Sequence, residues 1–230
     1  MSIVIAIGLG IVPSIIWLIF FDHEDHKHPE ALRSIVFGFI IGAFTTFVAL
    51  LLQIGLNSLF GDYGVATRSP LGVTIFATIE EILKFSAVFF LVRSRHDFDE
   101  PMDAMIYMVT VALGFAAVEN VASLINHGNL LQTGAFLKSL ETLTLRFLGA
   151  TLLHSLTSAI VGFHWAVGMI TRRYLGWHIF AGLFVASLLH SVFNYLIIIT
   201  GPATWGILFV FTISFFVLID FERLKAAEAV

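Results

Sequence analysis

The sequence predicts an all-α fold, a polytopic transmembrane bundle of about seven helices, and three observations carry that expectation. The first is composition: 58% of the residues are apolar, 12% are charged, 24 are Phe, and the mean hydropathy is +0.96. A soluble domain of this size cannot hide so much apolar surface, because its outer faces must meet water. The second is run length. Stretches over 2–21, 34–60, 70–92, 104–126, 143–171, 175–200 and 203–221 each approach or exceed the roughly 20 apolar residues that a helix needs to cross a bilayer. The third is the quality of the breaks between them.

The first span lacks a cationic flank and an A-x-A site, so it reads as a retained helix and not as a cleaved signal. A polar run from Asp22 to Arg33 separates it from the second span, which carries a packing GxxxG at Gly38 and Gly42. Turn residues between Gly61 and Pro70 precede the third span, and a charged stretch from Arg93 to Asp103 precedes the fourth. The segment between 126 and 143 reads as an outer loop. Arg172-Arg173 sits before the sixth span, and Gly201-Pro202 makes the tightest turn, before the seventh. The runs are too long for barrel strands and do not alternate.

Lys and Arg set the expected orientation. With the N-terminus outside, the cytoplasmic segments hold Lys27, Arg33, Arg93, Arg95, Arg172, Arg173, Arg223 and Lys225, and the outer loops hold only Arg68 and Lys138. That is a positive-inside bias, and it puts the C-terminus in the cytoplasm. The chain reads as one transmembrane domain over 1–230, with a core at about 70–200 and accessory helices at 1–60 and 203–221. Without cysteine there is no disulfide, thiolate metal site or Cys nucleophile. A net charge of −4 and the lack of a basic run give no sign of a nucleic-acid partner, whereas lipid is a required one.

The informative residues are those that lipid penalises. Glu80, Glu81 and Lys84 interrupt the third span, Glu119 and Asn120 the fourth, His154 the fifth, and His190 and Asn194 the sixth. An ionised side chain at a helix centre costs about 2.5–3.5 kcal/mol on insertion scales. These groups must therefore face one another or a wet cavity. Counted from the outer ends of their spans, the Glu and His positions fall in a layer roughly 6 Å thick, near the midplane and leaning outward. Glu80 with Lys84, and His190 with Asn194, are i,i+4 pairs on shared faces, so Lys84 is expected to hold Glu80 ionised. Glu81 points about 100° away from Glu80, which suggests a different task. Ala150, Ser158 and Gly162 flank His154 as a small-residue stripe that allows close approach of helices. Arg146 either snorkels to the interface or reaches Glu119.

Glu80-Glu81-x-x-Lys84, Gly114-Phe115-x-x-x-Glu119-Asn120, His154 with Gly162 behind it, and His190-x-x-x-Asn194 follow one another on successive spans. In that order, from about Pro70 to Tyr195, they resemble the PrsW family of bacterial membrane proteases. That family is similar in turn to the CAAX prenyl endopeptidases and the bacteriocin-processing membrane proteases. Where the prenyl endopeptidases carry a His, Glu119 stands here, so a prenylated substrate is not implied. The resemblance implies hydrolysis of a peptide bond in a membrane-anchored protein, such as first-site cleavage of an anti-sigma factor near its external side. It leaves the first two helices uncovered.

On this reading Glu80 or Glu81 is the general base, assisted by His154, while His190 and Asn194 present N–H donors to the oxyanion. Glu119 orients a histidine or acts as second acid, and Lys84, Asn120 and Arg146 support. No cofactor is expected, by analogy with membrane glutamic proteases. The alternative is a divalent metal such as zinc on Glu80, Glu81, Glu119, His154 and His190. Two other readings compete: a proton- or cation-coupled transporter using the same Glu/His cluster, and a catalytically silent relative that only binds membrane proteins. The run of His23, His26 and His28 with its acidic neighbours reads as a solvated loop.

Overall fold

The computed structural model describes residues 2–25, 30–61, 68–93, 98–126, 132–201 and 204–228, and among these there is no strand. His26, His28, Lys27, Arg95 and Pro202 of the readings above lie outside the described residues. The helices are α1 (Ser2–Asp22), α2 (Leu32–Phe60), α3 (Pro70–Val92), α4 (Pro101–Ile125), α5 (Thr133–Arg146), α6 (Leu152–Thr171), α7 (Leu175–Thr200) and α8 (Thr204–Glu228), with a π-helical segment, Phe147–Thr151, between α5 and α6.

Among the described residues, six helical runs are long and apolar enough to cross a membrane; α5, the π segment and α6 count as one of them. The remaining helix, α3, has 23 residues and carries Glu80, Glu81 and Lys84 in its middle. Parity indicates that it crosses as well. Lys225 near the end of α8 donates to Glu24 just after α1 at 2.6 Å, and Phe21 stacks on Phe221. The C-terminal ends of α1 and α8 therefore share one face, which requires an odd number of crossings.

The bundle is built around α4, whose residues 102 to 117 are buried without interruption. A helix that is apolar on every side must be surrounded, and α1, α2 and α6 all pack on it. Close approach is possible because glycine faces backbone. A Cβ at Gly42 would lie 2.0 Å from the Val111 carbonyl oxygen, one at Gly114 2.0 Å from that of Phe39, and one at Gly162 2.6 Å from that of Ala104. Thr46 on α2 also donates to the Phe115 carbonyl on α4 at 3.1 Å. In lipid, where the hydrophobic effect does not join helices, such contacts carry the association.

The outer-loop reading of 127–142 is corrected in part. Residues 133 to 142 are helical and run on through Arg146 into the π segment. Their apolar residues Phe136, Leu137, Leu140 and Leu143 recur at helical spacing, which the polar neighbours Lys138, Ser139 and Glu141 obscure. After α7, Gly201 adopts φ +81°, a conformation that glycine tolerates without penalty.

Candidate active site

Glu80, Glu81 and Lys84 on α3, Glu119 and Asn120 on α4, His154 on α6, and His190 and Asn194 on α7 come together, as their common depth predicts. A cavity of about 400 Å³ is lined by Glu80, Glu119, Arg146, His154, His190 and Asn194 among others. Glu81 and Lys84 are fully buried behind it.

Lys84 does not pair with Glu80, as its i,i+4 spacing suggests. Its ammonium lies 2.9 Å from Glu81 Oε1, 2.7 Å from His154 Nδ1, and 4.8 Å from the centre of the Phe115 ring. Both carboxylates are within reach of a lysine on the next turn, and His154 decides between them by offering a second acceptor beside Glu81. Glu81 Oε1 also accepts from Thr157 at 3.1 Å and from His190 Nδ1 at 2.7 Å. One carboxylate thus ties α3 to α6 and α7.

These contacts bear on the imidazole protons. An ammonium only donates, so His154 Nδ1 accepts, and its Nε2–H donates to Glu119 Oε2 at 3.0 Å. His190 donates through Nδ1 to Glu81, and in the neutral ring its Nε2 then carries the lone pair. That Nε2 is 3.7 Å from Glu80 Oε2. The two rings meet edge to face, 4.9 Å between centres, so each limits the rotation of the other.

Arg146 reaches the site. It donates to Glu119 Oε2 at 3.1 Å and to Asn120 Oδ1, while Asn120 donates to Thr151 at 3.1 Å. Arg146 and Thr151 are five residues apart, which on a regular α-helix would set them about 140° apart. The intervening π segment closes i→i+5 hydrogen bonds and brings both over Asn120. Trp17 braces this segment from α1, donating to the Phe147 carbonyl at 2.9 Å and stacking on its ring.

Glu80 differs from the other two carboxylates. Glu81 has Lys84 and Glu119 has Arg146, but Glu80 Oε1 accepts from a neutral amide, Gln53 Nε2 on α2, at 2.8 Å. Gln53, Thr157 and Thr151 are missed by motif reasoning; Gln53 had one available signal, an amide inside the apolar run from Phe47 to Ile54. Asn194 lines the cavity and makes no hydrogen bond among the described residues.

Glu80, His154 and His190 can each offer one ligand atom, all within 4.8 Å of one another, the donor set of a His₂Glu zinc site. The hydrogen bonds oppose such use. The lone pair of His154 already accepts from Lys84, and a zinc ion about 2.0–2.1 Å from that nitrogen would collide with the ammonium. As they stand, these residues do not fit a divalent ion.

A bundle of lipid-facing helices that encloses carboxylate, imidazole and amide groups around one small cavity has the build of a membrane-embedded hydrolase. The sequence profile described as "PrsW family intramembrane metalloprotease" matches residues 30–219, and the chain belongs to that family of intramembrane proteases. The match takes in α2, which the motifs from Pro70 to Tyr195 did not reach. The chain is 27% identical over 200 residues to Protease PrsW of Geobacillus kaustophilus, covering 87% of this chain and 82% of that one. It is 28% identical to Protease PrsW of Bacillus subtilis, over 86% and 84%, and 24% identical to that of Oceanobacillus iheyensis, over 96% and 95%. No solved structure matches the chain.

Proposed function

We propose that this multi-pass membrane protease hydrolyses a peptide bond of a membrane-anchored protein by a metal-independent, glutamic-type mechanism with Glu80 as general base. The observation that carries the reading is the gap between Glu80 Oε2 and His190 Nε2. At 3.7 Å it is too long for a hydrogen bond, and a water about 2.8 Å from each atom would span it. Both atoms are acceptors, so both protons of that water are held and its oxygen lone pairs face the cavity.

Attack of that oxygen on the scissile carbonyl forms the C–O bond as Glu80 takes one water proton. The carbonyl π pair moves onto oxygen, which accepts from the Asn194 amide that lines the cavity. Collapse of the intermediate breaks the C–N bond, and Glu80 returns its proton to the leaving amine. His190 directs its Nδ1–H at Glu81, and as a neutral ring in this mechanism it serves as an acceptor for the water and not as the oxyanion donor that spacing alone suggests. Glu81, Lys84 and His154 hold His190 in that tautomer, and Arg146 and Glu119 hold His154. With orientation set by the positive-inside bias, the cavity leans outward. This favours cleavage near the external side, as in release of a membrane-anchored anti-sigma factor.

The test uses the purified chain in lipid vesicles with single-span peptides labelled at both ends and varied in their outer juxtamembrane segments. Cleavage by the native chain, reduced at least about 100-fold in Glu80→Gln, is the expected result. Full activity in Glu80→Gln overturns the base assignment. Cation flux without cleavage overturns the hydrolytic reading in favour of transport.

A further inference from the structure

We infer that Gln53 is a positioning residue for the reaction, holding Glu80 so that its second oxygen faces the bridged water; this rests on the role of Glu80 proposed above. Gln53 lies on α2, away from the motif-bearing helices, among residues such as Leu51, Leu52 and Ile54 that face outward from the bundle. An amide at that depth in lipid is costly unless its hydrogen bonds are met inside the bundle. It is half-buried, and its Nε2 meets Glu80 Oε1 at 2.8 Å.

Two features separate this contact from ordinary interhelical adhesion. It falls on the single carboxylate of the three that has no Lys or Arg partner and that lines the cavity. A cation beside the base would favour its ionised form and oppose proton uptake; a neutral amide orients the carboxylate with a weaker bias of that kind. The contact is also one-sided. With Oε1 fixed by Gln53, rotation of the carboxylate is blocked and Oε2 stays 3.7 Å from His190 Nε2, whereas a free glutamate would swing into the cavity. Placing a base to within a fraction of an ångström is worth far more in rate than in binding.

The experiment compares Gln53→Met, close in length but unable to donate, with the native chain in the vesicle assay. kcat is expected to fall roughly tenfold or more while KM changes less than about twofold. The second readout is infrared: the carboxylate stretch of Glu80, isolated by difference against Glu80→Gln, is expected to shift and broaden in Gln53→Met. Gln53→Asn, one methylene shorter, serves if the Met variant does not fold and is expected to behave alike. An unchanged Glu80 band, an unchanged kcat, or a rise in KM alone overturns the inference. If Glu80→Gln is inactive while Gln53→Met behaves as native, only the Gln53 role fails. If Glu80→Gln is active, the base assignment fails first.

Discussion

The Lys84 ammonium and His154 Nδ1 are 2.7 Å apart, both fully enclosed, on helices separated by seventy residues of sequence. This contact joins the cation of α3 to the histidine of α6 and, with the 2.9 Å bond from Lys84 to Glu81, makes a buried ion cluster in place of isolated charges. Removing one member of such a cluster leaves another uncompensated, at a cost of about 3–5 kcal/mol. Lys84→Met should therefore unfold at a markedly lower temperature in detergent. The double variant Lys84→Met with Glu81→Gln should recover most of that loss yet remain inactive. Equal unfolding temperatures for the native chain and Lys84→Met would show that the cluster is not a stabilising unit.

The same lysine enters the proposal of a metal-independent site. Activity of the native chain should survive exhaustive chelation, and metal analysis should find less than one zinc per chain. Lys84→Met frees the His154 lone pair and should bind zinc detectably, because Glu80, His154 and His190 already offer ligand atoms within 4.8 Å of one another. Stoichiometric zinc in the active native chain, lost together with activity, would reverse the assignment.

Helix contact through glycine gives a prediction independent of catalysis. Gly114→Val sets a side chain against the Phe39 carbonyl, where even a Cβ would lie at 2.0 Å, and should destabilise the fold by about 1–3 kcal/mol or more. Gly55→Ala meets nothing within 4 Å and should leave the unfolding temperature unchanged or slightly higher. Thermal unfolding of the two variants side by side checks both.

Trp17 acts on the site at a distance. Trp17→Phe keeps ring packing against Phe147 but removes the 2.9 Å hydrogen bond to its carbonyl. The expected loss of stability is about 1 kcal/mol. If the π segment relaxes, Arg146 leaves Glu119 and kcat falls as well. Arg146→Gln should reproduce the fall in kcat without the loss of the Trp17 bond, and a native kcat in Arg146→Gln would sever this link.

The spans and the convergence of the polar groups were legible because lipid makes each rule strict. A long apolar run has few alternatives to a membrane helix, and buried charges at one depth must meet. Pairing within the cluster was not legible. Lys84 stands at i+3 from Glu81 and i+4 from Glu80, two spacings of similar reach, and the choice depends on His154 and Thr157 from another helix. The helical state of 133–142 was hidden because half of α5 is polar and does not resemble a span. Gln53 was passed over since one amide in a membrane helix most often joins helices without chemistry, and only its partner distinguishes the cases. The π segment has no signature in Phe147–Thr151 itself; its effect shows when Arg146 and Thr151 are found on the same asparagine.

With the carboxylates ionised, Lys84 and Arg146 charged and the imidazoles neutral, the proposed mechanism starts from one surplus negative charge in the pocket, and the pairing leaves it on Glu80. In the proposed hydrolysis Glu80 becomes neutral as the substrate carbonyl oxygen becomes an anion. The total is unchanged, and the reaction only moves an existing charge across the cavity. In surroundings that solvate ions poorly, creating a charge would be prohibitive, whereas moving one by a few atoms is not.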